Sequence, residues 1–419
     1  MELHRVVVTG LGALTPIGNT CQEFWQNLLN GVSGAGPITH FDVSKFRTQF
    51  ACEVKDFDLT KVMNFNIKEV RKMDLFTQYA LVTAREAITD AGIDLASTNK
   101  ERAGVVWGTG IGGFTTYGEE ISAYATGDGT PRFSPFFIPK IIGDIAAGHI
   151  SMHFGLLGPN YVTTSACASS ANAIADACNL IRLGKVDWIV TGGSEAPINC
   201  SGIGGFNAMQ ALSVRNDDPK TASRPFDKGR DGFVVGEGSA ALVLESLESA
   251  LARNAKIYAE IGGCGLSSDA YHITAPHPEG AGAKLAMKHA IEEANLSVDS
   301  VDHINTHGTS TPLGDLAELK AIQALFGDFA YNININSIKS MIGHLLGAAG
   351  AVESVATILS VYNDIIPPTI NHFEDDDRID SKLNLTFNTA QKRVVNVALS
   401  NTFGFGGHNV SVLFKKYKD

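Results

Sequence analysis

One cysteine in this sequence has the surroundings of a nucleophile. Cys167 lies in TTSACASSANAI, where an apolar strand is expected to give way to a helix of small residues. A helix N-terminus carries partial positive charge and unpaired N–H groups, which lower the pKa of a thiol. Small neighbours leave space for a substrate to approach the sulfur. We therefore expect a nucleophile at Cys167, with a small buried residue at a tight turn as the structural alternative.

Two histidines strengthen the interpretation of Cys167 as a nucleophile. His307 follows a predicted strand in INTHGTSTPLGD, and His344 lies where SIKSMIGHLLGAAG enters a glycine-rich helix. A thiol with two imidazoles could transfer an acyl group and also stabilise negative charge on a thioester oxygen. A metal site would need further ligands at helical or short-loop spacing. The sequence offers none, so we predict no bound metal.

A lysine and a glutamate flank His344 in the sequence. Glu353 falls in an otherwise apolar predicted helix, where an unpaired carboxylate would be costly. A buried partner such as Lys339 or a histidine would remove that cost. We expect a functional pairing, and the alternative is a solvated lysine beside an isolated helix glutamate.

Three glycine-rich segments need separate interpretations. NTFGFGGHN, residues 401–409, could turn its N–H groups towards a ligand oxygen, as an oxyanion hole requires. GTGIGG, residues 108–113, fits a nucleotide-binding pattern, but the apolar helix, next strand and acidic residue of that motif do not follow. GGSEA, which ends at Ala196, lacks the closing glycine of a serine-hydrolase elbow. We assign chemistry only to the first segment.

Composition excludes several classes of partner. The net charge of −11 disfavours nucleic acid and anionic membranes, whose phosphates are held by excess Lys and Arg. The longest apolar run, 345–362, is interrupted by polar residues and predicts a buried helix, not a membrane span. The six cysteines form no CxxC pair, and MELHRVVVTGLG shows no leader, so we predict free thiols and a cytoplasmic protein.

Strand and helix patterns alternate along the chain and predict an α/β fold. The predicted strands are 5–9, 103–107, 160–164, 188–191, 240–244, 301–306, 332–336 and 394–399. The predicted helices are 75–91, 171–183, 282–293, 316–326 and 347–362. The strand, small-residue turn and helix around Cys167 recur around His344, which indicates an internal duplication with its break near residues 250–256. We expect halves 1–255 and 256–419 around a shared site.

The motifs TTSACASS, THGTSTPLGD, SIKSMIGHLLGAAG and NTFGFGGHN together resemble those of the β-ketoacyl-[acyl-carrier-protein] synthases. The match is closest to the elongating members of type II fatty acid synthesis. RPFDKGRDGFVVGEG and VVVTGLGALTPIGN are similar to further family segments, and the resemblance spans essentially the whole chain. It implies a thiolase-like fold, in which two duplicated α/β halves form a five-layered αβαβα sandwich, and a homodimer.

The resemblance also implies roles for the motif residues. Cys167 would receive an acyl chain as a thioester, and His307 and His344 would hold the malonyl thioester carbonyl while CO2 leaves. The resulting carbanion would attack the acyl-Cys167 carbonyl, giving a 3-oxoacyl-[acyl-carrier-protein] in fatty acid elongation. The N–H groups of Cys167 and Phe405 would form the oxyanion hole. Lys339 and Glu353 would fix the orientation and charge of the histidines.

Substrate and partner contacts follow from the same resemblance. The phosphopantetheine arm would arrive on the carrier protein, with no resident cofactor, and would contact Thr309 and Thr311. The remaining substrate contacts would be Ile111, Phe206, Phe403 and Thr274, with Ile111 compatible with longer acyl chains. Lys68, Arg71 and Lys72 share one face of a predicted helix and would attract the acidic carrier protein. Gln210 departs from the arginine that is frequent in the family.

Other classes share parts of this pattern. A thiolase would need a second cysteine in NTFGFGGHN, which has none. Initiating synthases pair the cysteine with one histidine and an asparagine, whereas here His344 occupies the second position. A non-catalytic chain-length partner lacks the nucleophile that Cys167 provides. A polyketide-type ketosynthase has similar motifs and remains the open alternative.

Overall fold

Residues 3–418, which a computed structural model describes, form an α/β fold with helices between most strands. The strands are β1 Val6–Leu14, β2 Gly36–Pro37, β3 Phe50–Ala51, β4 Ala103–Gly108, β5 Asn160–Thr163, β6 Trp188–Glu195, β7 Gly238–Ser246, β8 Ala259–Ser268, β9 His303–Asn305, β10 Asn334–Asn336, β11 Ile365–Ile366, β12 Gln391–Lys392, β13 Val397–Gly404 and β14 His408–Lys415.

The helices are α1 Cys21–Leu29, α2 Leu59–Met63, α3 Ile67–Val70, α4 Leu75–Asp90, α5 Phe114–Thr126, α6 Phe137–Ile141, α7 Ile145–Phe154, α8 Ser169–Arg182, α9 Cys200–Ala208, α10 Leu247–Ala252, α11 Ala281–Glu293, α12 Gly314–Phe326, α13 Lys339–Ile342 and α14 Ala349–Asn363. None of the helices described between residues 3 and 418 is long and apolar enough to cross a membrane.

Ten strands form one mixed sheet in the order β10-β9-β13-β14-β8-β1-β7-β6-β4-β5. The strands before and after residue 255 are arranged in the same way. In the first set β4 pairs in parallel with β5 and with β6. In the second set β9 pairs in parallel with β10 and with β13. The strands β6, β7 and β1 then pair antiparallel in that order, as do β13, β14 and β8. The antiparallel pair β1 and β8 joins the two sets.

The helices lie between and outside the two sets of strands, so that helices and strands form separate layers. α8 and α14 pack against each other and against strands of both sets, so they form the central layer. α4 and α7 cover the outer face of the first set, and α11 and α12 cover that of the second. The three largest apolar clusters follow this layering. The order of layers is helix, sheet, helix, sheet, helix, as the expected αβαβα sandwich requires.

Glycines in β1 determine how closely its covering helix can approach. A Cβ at Gly10 would lie 2.1 Å from the Ala87 carbonyl oxygen of α4, and one at Gly12 would lie 2.2 Å from that of Thr83. Only glycine fits these two positions. The N-terminus of α4 is fixed by Asp74, whose carboxylate accepts the Phe76 N–H.

The predicted elements differ from the structure at their ends and in the surface helices. The strands β8 and β14 of the main sheet and the short helices α2, α10 and α13 were also not predicted. The predicted helix from residue 347 starts at Ala349, after a 3₁₀ turn at Leu346–Ala348. The glycine-rich segment 401–409 was expected as a turn after a strand. Instead β13 continues to Gly404 and pairs with β14, so only residues 405–407 form the turn. Helices α1, α5, α6, α7 and α9 were not predicted.

Candidate active site

Cys167 lies between the end of β5 and the start of α8, at the junction of the two central helices with the sheet. The residue before it, Ala166, has a φ of 51°, a left-handed conformation that a β-branched side chain would not tolerate. A Cβ at Gly108 would lie 2.4 Å from the Ser170 backbone, so the first turn of α8 rests directly on β4. These small residues bring the sulfur to the edge of a cavity while leaving Cys167 only 7% exposed.

His344 is in hydrogen-bond contact with the nucleophile. Its Nε2 lies 3.0 Å from Sγ of Cys167. The His344 backbone is held on both sides, because its N–H donates to Val234 O at 2.7 Å and its carbonyl accepts the Gly236 N–H at 2.9 Å. Both partners belong to the segment RPFDKGRDGFVVGEG. That segment therefore positions the imidazole.

His307 faces His344 across the same space. The ring centroids lie 5.2 Å apart and the planes meet at 87°. The Glu318 carboxylate of α12 accepts the backbone N–H groups of His307 at 2.9 Å and of Gly308 at 2.8 Å. The position of His307 is thus set by a carboxylate rather than by strand pairing alone.

Lys339 and Glu353 form a buried ion pair beside the histidines. Each side chain is only 1% exposed, and Lys339 Nζ contacts Glu353 Oε1. Of the two partners proposed for Glu353 from the sequence, the structure therefore selects Lys339. The ammonium acts on both imidazoles, since its charge lowers the pKa of His307 and of His344.

Burial controls the protonation of the site. It holds the pKa of His307 and of His344 well below the usual range, so both imidazoles are neutral. Burial also raises the pKa of Cys167 to about 12, although Lys339 and the Phe405 N–H act in the opposite direction. This differs from the lowered thiol pKa that we expected from the helix N-terminus. Desolvation outweighs the charge of Lys339 and the Phe405 N–H, so the thiol pKa lies above its ordinary value.

The β13–β14 hairpin closes the site opposite His344. A Cβ at Gly404 would lie 2.8 Å from Ser165 O and 3.1 Å from Cys167 N, so the hairpin backbone passes directly over the nucleophile. The next residue, Phe405, points its N–H towards the sulfur, where that N–H lowers the thiol pKa. The hairpin backbone at Gly404 and Phe405 therefore lies close to both the nitrogen and the sulfur of Cys167.

A cavity of about 520 Å³ leads to these residues. All the residues assigned to substrate contact from the sequence line it, namely Thr309, Thr311, Ile111, Phe206, Phe403 and Thr274. The hydroxyls of Thr309 and Thr311 lie 3.0 Å apart. The three basic residues Lys68, Arg71 and Lys72 lie outside the cavity and are exposed on and just after α3.

Two buried carboxylates near the site were missed in the sequence. Glu318 contacts the His307 backbone, and Glu195, at the end of β6, accepts hydrogen bonds from the GTGIGG and post-His344 segments. Glu318 falls among apolar residues of α12, the same signal that identified Glu353. Glu195 lies in GGSEA, which has no serine-nucleophile pattern and no other local signal of a functional carboxylate.

The fold is thiolase-like, and its cavity brings one cysteine together with two histidines. Two family models match the chain: "Beta-ketoacyl synthase, N-terminal domain" over residues 3–250, and "Beta-ketoacyl synthase, C-terminal domain" over residues 258–373. The chain therefore belongs to the β-ketoacyl synthase family.

Two named relatives and one solved structure show which β-ketoacyl synthases this chain is similar to. The chain is 49% identical to a 3-oxoacyl-[acyl-carrier-protein] synthase 2 of Synechocystis, over 100% of this chain and 99% of the relative. It is 48% identical to the enzyme of the same name from Staphylococcus aureus, over 99% of each chain. A type II PKS ketosynthase, solved in complex with its acyl-carrier protein and bound to the hexaketide, aligns with a TM-score of 0.88 at 31% identity, over 100% of each chain.

Proposed function

We infer that this chain catalyses the decarboxylating Claisen condensation of fatty acid elongation. An acyl chain held on Cys167 reacts with malonyl-[acyl-carrier-protein], giving 3-oxoacyl-[acyl-carrier-protein] and CO2. The observation that carries this conclusion is the contact of His344 Nε2 with Cys167 Sγ at 3.0 Å, with His307 facing the same space. One thiol and two neutral imidazoles suit both acyl transfer and stabilisation of an enolate.

The first half-reaction loads the nucleophile. As Sγ attacks the carbonyl carbon of the acyl thioester, the thiol proton passes to His344 Nε2, because a thiol with a raised pKa needs a base at the moment of attack. The carbonyl oxygen becomes an oxyanion facing the N–H groups of Cys167 and Phe405. Collapse expels the phosphopantetheine thiolate, which takes the proton from His344.

The second half-reaction forms the carbon–carbon bond. The neutral imidazoles of His307 and His344 donate hydrogen bonds from Nε2 to the malonyl thioester oxygen, once the His344 proton has moved from Nδ1, where acyl loading leaves it, to Nε2. The bond between the malonyl methylene carbon and the carboxylate breaks and CO2 leaves. The electron pair of that bond stays with the carbon and forms the enolate. The enolate carbon attacks the acyl-Cys167 carbonyl, and collapse of that intermediate releases the Cys167 thiolate, which takes one proton from solvent. Burial and, to a smaller extent, the charge of Lys339 keep both histidines neutral.

Intact-protein mass spectrometry tests this reaction directly. The wild-type protein, mixed with acyl-[acyl-carrier-protein], should gain the mass of one acyl group, and malonyl-[acyl-carrier-protein] should discharge it as 3-oxoacyl product. Cys167→Ala should gain no mass. A wild-type protein that is never acylated, or whose adduct survives malonyl-[acyl-carrier-protein], would refute the elongation reaction.

A polyketide-type ketosynthase is the alternative, and the similarity to the solved ketosynthase complex is its support. The higher identity to fatty acid synthases, 49% against 31%, favours elongation of fatty acids. A non-catalytic chain-length partner is disfavoured by the contact between Cys167 and His344. Comparing saturated acyl and polyketide thioesters in the mass experiment distinguishes the two enzymatic candidates.

We propose the acyl carrier protein as the partner that delivers both thioesters, and Lys68, Arg71 and Lys72 as its docking residues. These side chains are exposed, and their charge opposes that of an acidic carrier. Thr309 and Thr311 line the cavity where the phosphopantetheine arm would lie. We predict from the sequence that the protein holds no resident cofactor or metal. We also predict from the sequence that it is cytoplasmic.

We also propose a homodimer formed through the edge of the sheet at β5. This strand ends the ten-stranded sheet, and its first two residues are exposed. Nearby Met152 and Leu157 are 67% and 69% exposed, which forms an apolar surface beside an unpaired edge. Leu157→Asp should convert a dimer to a monomer in light scattering, while Leu183→Asp, at the far end of α8, should not. A monomeric wild-type protein would refute this proposal.

The division into halves 1–255 and 256–419 is likewise a proposal. Its support is the strand arrangement, which is the same on either side of this point.

A further inference from the structure

Two segments that the sequence analysis left without chemistry meet beside the nucleophile. Glu195 ends β6 and is completely buried. Its Oε1 accepts the Thr109 hydroxyl at 2.9 Å and the Ile111 N–H at 3.1 Å. Its Oε2 accepts the N–H groups of Gly110 at 2.6 Å and of Gly347 at 2.9 Å. The glycine-rich loop thus surrounds a carboxylate of the protein itself.

The geometry of this cluster favours an anionic carboxylate. Three backbone N–H groups and the Thr109 hydroxyl point at its two oxygens, and only the hydroxyl could accept a carboxyl proton. Burial raises the pKa of Glu195, and the backbone N–H groups counteract that effect. An amide in its place would turn an NH2 group towards at least one backbone N–H and lose at least one of the four hydrogen bonds.

Glycine is required where the two segments touch. A Cβ at Gly347 would lie 2.4 Å from Glu195 Oε2 and 2.2 Å from the Gly110 nitrogen. A Cβ at Gly110 would lie 2.9 Å from the same carboxylate oxygen. The backbones therefore meet directly over the carboxylate, and no side chain can separate them.

The segments joined by Glu195 form two walls of the substrate cavity. Ile111 lines the cavity on one side. On the other side, Leu346 lines it with a φ of 46°, a strained conformation held by its neighbours, and it follows His344 by two residues. Glu195 does not contact the reacting atoms. Its carboxylate fixes the distance between the wall at Ile111 and the wall at Leu346.

We propose that Glu195 is a positioning residue that sets the acyl-chain specificity of Cys167 by holding the Thr109–Ile111 loop against Gly347. This inference rests on the proposed acyl transfer to Cys167. Loss of the carboxylate lets the loop move, so longer chains, which must pass Ile111, lose more of their transfer rate than short ones. Malonyl decarboxylation needs only His307, His344 and the cavity mouth, and it is insensitive to this loop.

The test measures single-turnover acylation of Cys167 by mass spectrometry, with carrier-protein thioesters of short, medium and long chains. In Glu195→Gln, the long-to-short ratio of acylation rates should fall about tenfold, as expected for lost hydrogen bonds to a charged group. Malonyl decarboxylation should change less than about threefold, since its groups are untouched. Glu245→Gln removes another buried carboxylate, remote from the cavity, and should leave the ratio unchanged.

A second variant keeps the inference testable if Glu195→Gln does not fold. Thr109→Val removes a single donor to Oε1 and should shift the ratio in the same direction by a smaller factor. An unchanged ratio in Thr109→Val, or an equal loss for every chain length and for decarboxylation in Glu195→Gln, would overturn the proposal. Failure of the wild-type protein to be acylated at all would refute the proposed function instead.

Discussion

The protonation of Cys167 decides how the nucleophile is activated. Burial raises the pKa of its thiol to about 12, so the thiolate is a small fraction at neutral pH. Below the pKa, that fraction rises about tenfold for each pH unit. We expect the rate of Cys167 alkylation by iodoacetamide to rise continuously between about pH 7 and pH 9, without the plateau of a thiolate formed near neutrality. Cys167→Ala identifies the modified site, and a plateau near pH 7 would contradict the raised pKa.

Neutral histidines predict a different pH dependence for decarboxylation. Burial keeps the pKa of His307 and of His344 well below the ordinary value of 6.5, so neither gains a proton as the pH falls from about 8 to about 6. The decarboxylation rate of malonyl-[acyl-carrier-protein] should therefore stay nearly constant over that range. A fall in rate centred near pH 6.5 would show that at least one imidazole has an ordinary pKa.

The same pKa shifts affect stability with a defined sign. The unfolded chain binds protons at these histidines below about pH 6.5, while the folded chain does not. The contribution of these two histidines to the free energy of unfolding therefore decreases as the pH falls below that value, whereas buried carboxylates with a raised pKa, such as Glu318 and Glu353, contribute in the opposite direction.

The buried ion pair gives a prediction that separates stability from activity. Lys339→Met leaves Glu353 buried without its cation, which should lower the free energy of unfolding by about 3 to 5 kcal/mol. The double variant Lys339→Met, Glu353→Leu removes both charges and should recover most of that loss in chemical denaturation. Decarboxylation should remain impaired in both variants, because the histidines lose the neighbouring ammonium. Recovery of activity in the double variant would assign the pair a structural role alone.

Residue types and local context, together with the family resemblance, selected the residues that the structure brings together beside the cavity. Cys167, His307 and His344 stood out as single residues at strand ends, and Glu353 as a charge in an apolar helix. Glu318 carries the same signal as Glu353 and was overlooked. Glu195 could not be found in this way, because it accepts backbone N–H groups that are far away in sequence. The pKa of the Cys167 thiol could not be predicted from the sequence either, because it depends on how completely the folded site excludes water.

At the scale of elements, the contact between β4 and α8 positions the nucleophile. Gly108→Ala would place a Cβ 2.4 Å from the Ser170 backbone, where no flexible side chain can give way. We expect the variant to lose at least about 1 to 3 kcal/mol of unfolding free energy and to be acylated more slowly. Gly36→Ala is the matched control, because a Cβ at Gly36 would have no atom within 4 Å. Equal behaviour of the two variants in thermal denaturation and acylation would exclude the close contact.

The alternation of strands and helices predicted most of the buried sheet, because its apolar runs are short and bounded by turns. It did not predict the extent of β13, whose last residues include Thr402 and Gly404. Hydrogen bonds to β14 keep this glycine-containing segment extended, and such pairing is not encoded locally. The surface helices α5 and α6 were missed because their apolar side chains are exposed and give no buried stripe.

At the scale of the molecule, net charge and local charge act in opposite directions on the partner. A protein of charge −11 repels an acidic carrier except at basic positions such as Lys68 and Arg71. Lys68→Glu should raise KM for acyl-[acyl-carrier-protein] several-fold, while KM for an acyl-pantetheine substrate without the carrier should not change. Lys288→Glu, on α11 in the other half of the chain, controls for net charge. Equal effects of the two variants would contradict docking at α3.

The repeated halves were predicted from a weak echo between the segments around Cys167 and His344. The order of strands was not predictable, because it depends on which edges meet in space. The antiparallel contact of β1 with β8, which joins the two sets of strands, involves residues 6–8 and 259–261. Nothing in either segment alone specifies the other as its neighbour.

The interior position of β14, between β13 and β8, has a consequence for the growing polypeptide. During translation, Cys167 emerges from the ribosome well before His307, His344 and the β13–β14 hairpin. A nascent chain at that stage carries the thiol without its proton acceptor, and β8 still has an open edge where β14 will insert. We therefore expect acylation of Cys167 to begin only after the whole chain has been made, and the edge of β8 to stay open to other strands until β14 pairs with it.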